Sequence, residues 1–322
     1  MVGKYDILVE SSRVSYELSI DRKYTILQGS SSTGKTRFFN GVMDELGEYT
    51  VTCDVPLVAV PTSKVFESFA RSQKDEECIY VIDENVCSVF QMRDLYHSFA
   101  KLSYSMSGYF ILITRSEIQA LPYSPESVLF FKGVKEGKKY INRAVNRYTW
   151  EDTEVMYPDK VIVEDLKAGY AFYKNTLKCE IVSADGNSNI SKILNGVAEE
   201  HNRNIFVIGD GAGIGAYINS IFGAKEYAER MGRHVKLFFP ESFEYLVLLA
   251  LVGEIEQLMR TYDYADSKEY KSWEDYYTKL LRHVTERYGG YKKGVLPNYL
   301  KGRKFITKFY KNIEDLDKSC IR

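Results

Sequence analysis

The stretch Gly29-Ser30-Ser31-Ser32-Thr33-Gly34-Lys35-Thr36 fills every position of the pattern G-x-x-x-x-G-K-[ST]. An apolar, β-prone run, Tyr24-Thr25-Ile26-Leu27, precedes it, and residues 37–46 follow with helical spacing of their apolar side chains. A strand, a glycine-bounded loop and a helix are expected in that order. Backbone N–H groups wrap a phosphate chain only where no bulky side chain intervenes, and Gly29 and Gly34 supply that freedom. The loop runs into a helix N-terminus, where unsatisfied N–H groups and the helix dipole favour an anion. Lys35 adds a point charge for β- and γ-phosphates, and Thr36 offers a hydroxyl to Mg²⁺. The eight residues Gly29, Ser30, Ser31, Ser32, Thr33, Gly34, Lys35 and Thr36 are thus the expected binding site for ATP with Mg²⁺.

Downstream, Cys78-Ile79-Tyr80-Val81-Ile82 ends in Asp83-Glu84, an apolar strand delivering two acids. Asp83 is placed to join the Mg²⁺ shell and Glu84 to orient or deprotonate an attacking water. A further apolar run, 108–113, ends in Thr114-Arg115. Together these segments resemble P-loop NTPases of the additional-strand group, in which a polar residue at this last strand end senses the γ-phosphate. Thr114 matches that residue, or else caps a strand-terminal turn; Arg115 either neutralises transition-state charge or lies on the surface. The resemblance assigns Lys35, Asp83, Glu84 and Thr114 to catalysis, and Thr36 and Asp83 to the metal. No LSGGQ-like signature lies between Thr36 and Asp83, which disfavours an ABC-type ATPase, and residues 128–131 and 139–145 read as strands where a helical lid would otherwise stand.

A chain of 322 residues, 45% of them hydrophobic, can bury two cores of ordinary size. Residues 5–9 and 14–20 alternate like a hairpin of half-buried strands. The composition turns polar and acidic from 148 to 160, which sets the expected division: a P-loop ATPase domain over 1–150, a small parallel-sheet α/β domain over 158–242, and a helical C-terminal region over 243–322. Residues 1–6 lack the apolar core of a signal peptide, and the longest apolar run, 245–252, is too short to span a bilayer. A cytoplasmic protein without a membrane partner is expected. The five cysteines are scattered and none forms a CxxC pair, so neither a disulfide framework nor a zinc site is indicated.

In the second half, apolar strands at 160–163, 179–183, 205–208 and 234–239 alternate with helices. Glu164, Asp185 and Asp210 each follow the apolar run of a strand, and in an open parallel sheet such positions share the ligand-binding edge. The segments Val163-Glu164-Asp165, Ala184-Asp185-Gly186-Asn187, Gly209-Asp210-Gly211-Ala212-Gly213 and Phe239-Pro240-Glu241-Ser242-Phe243-Glu244 resemble a TOPRIM domain. An ATPase followed by TOPRIM is the arrangement of OLD-family ATPase-nucleases. That resemblance implies a second Mg²⁺ site at Glu164, Asp185 and Asp210. Ala212 replaces the second aspartate of the family's D-x-D, which leaves two readings open: weak metal-dependent nuclease activity, or a catalytically dead recognition module.

Residues 289–322 hold nine Lys/Arg against three Asp/Glu, in a chain whose net charge is −1. Lys292, Lys293, Lys301, Arg303, Lys304, Lys308 and Lys311 interleave with Tyr299, Phe305, Phe309 and Tyr310, a mixture suited to gripping phosphates and stacking bases of DNA or RNA, or to a solvated helix. The function expected is an ATPase that couples nucleotide state to nucleic-acid binding or processing, like OLD-type defence or mobile-element proteins. The alternatives are a nucleotide-gated binding protein and a small-molecule kinase. The oligomeric state stays open, a homo-oligomer included.

Overall fold

All five side chains of Tyr24–Gln28 are buried, so this strand needs a neighbour on each edge and cover on both faces. The computed structural model describes residues 1–322 except 31, 32, 91, 92, 120, 149–153, 201 and 202, and omits the side chains of 88–98. Ser31 and Ser32 of the loop therefore lie outside the described residues. The chain is α/β and divides into two units, Met1–Thr149 with Arg260–Ser272, and Trp150–Met259 with Trp273–Arg322.

In chain order the first unit contains β1 (Tyr5–Glu10), β2 (Val14–Ile20), β3 (Tyr24–Gln28), α1 (Lys35–Met43), β4 (Thr50–Thr52) and β5 (Leu57–Val60). There follow α2 (Ser63–Ser72), β6 (Ile79–Ile82), α3 (Glu84–Phe90), α4 (Arg93–Tyr104), β7 (Tyr109–Thr114), β8 (Val128–Glu136) and β9 (Lys139–Asn146). They form one sheet in the order β4-β1-β2-β9-β8-β3-β7-β6-β5. The five strands from β8 to β5 are parallel neighbours, so β7 separates the loop strand β3 from the acid-bearing strand β6. The hairpin β1–β2 is present as expected, and it extends the sheet through β9. Tyr16, Phe38 and Phe131 pack edge to face beneath α1, with ring centroids 5.0 to 5.8 Å apart.

The second unit contains β10 (Lys160–Val163), α5 (Ala168–Thr176), β11 (Glu180–Ser183), α6 (Ile190–Glu199), β12 (Asn204–Ile208), α7 (Ile218–Arg230) and β13 (His234–Phe238). The helices α8 (Phe243–Val252), α9 (Glu256–Met259), α10 (Trp273–Val284) and α11 (Arg303–Lys311) complete it. Its four strands are all parallel, in the order β11-β10-β12-β13. Ile162, Leu194, Val207 and Ile221 belong to one buried core that joins the sheet to α6 and α7. Phe172, Phe243 and Phe309, from α5, α8 and α11, form a second, aromatic cluster; Phe172 and Phe309 stand 4.5 Å apart.

The C-terminal region 243–322 is not a unit of its own, which corrects the three-part division. Its helices belong with the second sheet, while 260–272 belongs to the first unit. There Ser267 N donates to the Met1 carbonyl at 3.0 Å, and the buried Lys23 ammonium donates to the carbonyls of Ser267 and Met106. Amphipathic periodicity reports burial and not the partner buried against, so it could not reveal this return. Among the described residues no helix is long and apolar enough to cross a membrane.

Candidate functional site

Two sites lie at carboxyl ends of parallel strands, one in each unit. In the first, Gly34 carries φ 86° and precedes α1, whose first backbone bond runs from Phe38 N to Gly34 O at 2.8 Å. A Cβ at Gly34 would stand 3.0 Å from the Tyr16 ring, so both the left-handed backbone and the close ring call for glycine. Lys35 folds back over the loop: its ammonium donates to the carbonyl of Gly29, to that of Ser30 at 3.1 Å and to Thr33 Oγ1 at 3.3 Å. Burial lowers its pKa; Glu84 opposes that shift and Arg115 adds to it.

Ser30, Thr33, Gly34, Lys35 and Thr36 line a cavity of about 450 Å³ together with Tyr16, Arg37, Glu84 and Arg115. Glu84 arrives at the end of β6 and Arg115 at the end of β7, and Arg115 Nε meets Glu84 Oε1 at 2.5 Å. Lys35, Glu84 and Thr36 are thus brought together. Asp83 and Thr114 are not among the described residues lining this cavity. Asp83 Oδ2 accepts from Asn85 N at 2.9 Å at the start of α3, and the Thr114 hydroxyl donates to Ser116 O at 2.9 Å while accepting from Ser116 N at 3.2 Å. Thr114 therefore caps the turn after β7. Among the described residues three cations and one carboxylate line this cavity.

The second site is the reverse. β10 and β12 are the strands from which the crossovers leave in opposite directions, and ligands of open parallel sheets bind at such a switch point. Glu164 ends β10, Asp210 follows β12, and both carboxyls line one pocket. Asp210, Glu244 and Glu274 each place a carboxylate oxygen within 4.8 Å of the others. The pocket they line, about 270 Å³, also includes Asp165, Asp185, Tyr173 and Lys293. Lys293 forms an ion pair with Glu274, and Tyr291 donates to Glu244 Oε1 at 2.9 Å.

Burial, then the charges of Glu274 and Asp165, push Glu164 up to about 7. Burial and the neighbouring Glu164, Glu274 and Glu244 hold Asp210 well above the carboxylate range. Glu244 is raised chiefly by burial. Burial works against the Lys293 charge, but Glu274, Glu244 and Asp210 outweigh it and raise its pKa. Burial and mutual repulsion thus favour the protonated forms of Glu164, Asp210 and Glu244.

The expected second metal set was Glu164, Asp185 and Asp210. Glu164 and Asp210 do converge, whereas Asp185 is exposed at the pocket mouth with φ 55°, its N–H bonded to Ser183 Oγ at 3.1 Å. Asp165 accepts from Gly169 N and Tyr170 N, at 3.2 and 2.7 Å, at the head of α5. Ala212 is buried and leaves no carboxylate where D-x-D would have one.

The sequence leaves Glu274 without an assignment, includes Glu244 only in the segment 239–244 that resembles TOPRIM, and groups Lys293 with the basic tail. Gly211 marks the place in the chain, because a Cβ there would fall 2.6 and 2.7 Å from the carbonyl oxygens of Phe239 and Pro240. Gly211 N donates to Pro240 O and Phe243 N to Asp210 Oδ1, which sets the head of α8, and with it Glu244, beside Asp210.

The tail also differs from expectation. Phe305, Phe309 and Tyr310 are buried and cannot stack bases, Tyr299 is half-buried against Tyr288, and Lys293 serves the acidic pocket. Compared with known proteins, the chain matches no family model and no curated protein.

Proposed function

We propose that the chain is an additional-strand P-loop NTPase joined to a TOPRIM-like unit, hydrolysing ATP at the loop and using the acidic pocket for cation-dependent phosphodiester chemistry. The observation that carries this reading is that Lys35, Glu84 and Arg115, from three separate segments, line one cavity beyond β3, β6 and β7, with β7 inserted between the other two. The loop suits a triphosphate because the Lys35 ammonium is held by neutral oxygens, which an anion replaces without breaking an ion pair. Thr36 and Asp83 are the residues that would hold Mg²⁺, whose part is to neutralise phosphate charge. Arg115 fixes the direction of the Glu84 carboxylate, the group that accepts a proton from water in this reading.

The acidic pocket suits a hard divalent cation because its donors are oxygens alone, and Glu244 and Glu274 supply what Ala212 lacks. Lys293 adds a positive charge for a phosphate arriving there. The reading of a dead module rests on Ala212 alone and is weaker by those two glutamates.

The test is Mg²⁺-ATP turnover and calorimetric ATP affinity in the wild type and Lys35→Ala, with Mn²⁺-dependent cleavage of duplex DNA in the wild type and Asp210→Asn. Loss of ATP affinity in the first variant and of cleavage in the second is expected. Equal ATP affinity in wild type and Lys35→Ala overturns the loop assignment, and cleavage that survives Asp210→Asn overturns the pocket assignment.

A further inference from the structure

Several cations of this chain are held in ion pairs: Lys160 with Glu180 and Glu200, Lys139 with Glu10, Arg143 with Glu17, Lys225 with Glu229. On α11 and the segment before it, several exposed cations lie close together without an acid among them. Among the described residues no carboxylate lies within ion-pair distance of Lys301, Arg303, Lys304, Lys308 or Lys311, all of them exposed on or just before α11. Lys304 and Lys308 are one turn apart, as are Lys308 and Lys311, and like charges at such spacing destabilise a helix. A helix keeps such an uncompensated stripe at a cost that a polyanion removes.

The stripe borders a groove of about 620 Å³, lined by Lys301, Arg303, Lys311, Lys318 and Arg322 with no acidic side chain among them. From Arg303 to Lys311 the helix covers about 12 Å, enough to meet several phosphates of a duplex, whose charges fall about every 1.7 Å along its axis. The apolar face of α11 is already spent on the aromatic cluster: Phe309 packs on Phe172 at 4.5 Å and on Phe243 at 5.8 Å. That face is not available for insertion among lipid acyl chains. The Tyr310 ring is 1% exposed and its hydroxyl pairs with Thr176 Oγ1 at 2.6 Å, so no aromatic in the groove offers a stacking platform.

We infer that this groove holds the phosphate backbone of double-stranded nucleic acid, through charge alone and without base stacking. The inference deepens the proposed function, which takes duplex DNA at the acidic pocket, by giving the duplex a separate holding surface, and it stands or falls separately from ATP binding at the loop. It implies steep salt dependence, little sequence preference and no advantage for single strands.

The experiment is fluorescence anisotropy of a short labelled DNA duplex over a range of salt, with the wild type and the triple variant Lys301→Ala, Arg303→Ala, Lys311→Ala. Each lost phosphate contact removes about 0.9 from the slope of log affinity against log salt, so the triple variant is expected to lose roughly 2 to 3 in slope and on the order of 10²-fold in affinity near 0.1 M salt. A single Lys311→Glu variant repeats the measurement should the triple one fail to fold, and Lys225→Ala, which removes a cation paired elsewhere, is expected to bind as the wild type does. Mg²⁺-ATP turnover of the same samples is expected to stay unchanged, which separates failure here from failure at the loop. No duplex binding by the wild type, unchanged slopes in the variants, stronger binding to the matching single strand, or binding to anionic vesicles in place of DNA overturns the inference.

Discussion

The loop cavity and the acidic pocket are built on one plan with opposite charge. Each sits where parallel strands end, each gathers residues from three or more segments, and each is roofed by the N-terminal part of a helix. In the loop cavity Lys35, Arg37 and Arg115 face the single carboxylate of Glu84. In the pocket Glu164, Asp165, Asp185, Asp210, Glu244 and Glu274 surround Lys167 and Lys293. The sheet edge supplies the crevice, and the residues just past each strand set the sign of the charge that lines it. The two also differ in strain. Lys35 rests on neutral oxygens, whereas the pocket crowds carboxyls until burial and mutual repulsion raise their pKa values.

The comparison is broken most severely at Glu84. In the loop reading Glu84→Gln slows turnover by a factor on the order of 10² to 10⁴ while ATP still binds, measured by steady-state hydrolysis beside calorimetry. An unchanged rate removes Glu84 from the mechanism.

The pocket is tested next by Asp210→Asn with Glu244→Gln. Manganese affinity, followed by electron paramagnetic resonance, is expected to fall on the order of a hundredfold while ATP hydrolysis persists. Retained manganese binding would mean that the acids are only a strained cluster.

The scaffold of the pocket is probed by Gly211→Ala, whose Cβ runs into two backbone carbonyls that cannot move aside as a side chain can. A loss of about 1 to 3 kcal/mol is expected in denaturant unfolding, with manganese affinity falling alongside. A variant as stable as the wild type would show that Pro240 does not need this close approach.

A pH dependence sharpens the contrast between a buried lysine and the buried acids. Burial lowers Lys23 to about 7, with Asp266 opposing. Between that value and the unfolded lysine pKa the unfolded state binds the extra proton, so stability rises with pH, by at most about 1.4 kcal/mol per unit. Below pH 7 both states hold the proton and the slope vanishes. Lys23→Met is expected to flatten the rise from pH 7 to 9 in thermal or denaturant unfolding, and an unflattened curve would place the titration elsewhere.

Contiguous residues carried what could be read without coordinates. The loop is eight successive positions whose chemistry is local, and Glu84, Glu164 and Asp210 announce themselves because an acid after an apolar strand must come out at the sheet edge. The strand runs 79–82, 109–113, 161–163 and 205–208 are apolar throughout because both faces are covered, so their type was plain too. The tail held a readable signal that its charges masked: Phe305, Phe309 and Tyr310 recur at helical spacing and form the buried stripe of α11.

Other features depend on partners far away in the chain. The placing of β7 between β3 and β6 follows from which edges pair, and the ion pair of Arg115 with Glu84 follows from that order. Glu274 and Lys293 stand in helix and loop surroundings where a surface salt bridge would look the same; only the approach of α10 and the segment after it to the ends of β10 and β12 makes them part of a pocket. The return of 260–272 to the first unit is likewise a matter of long-range bonds such as Lys23 to Ser267. Local pattern specifies which face of an element is apolar and where a strand must end, because those depend on near neighbours. Which distant side chains share a site depends on the packing of whole elements, and no short stretch of residues encodes that.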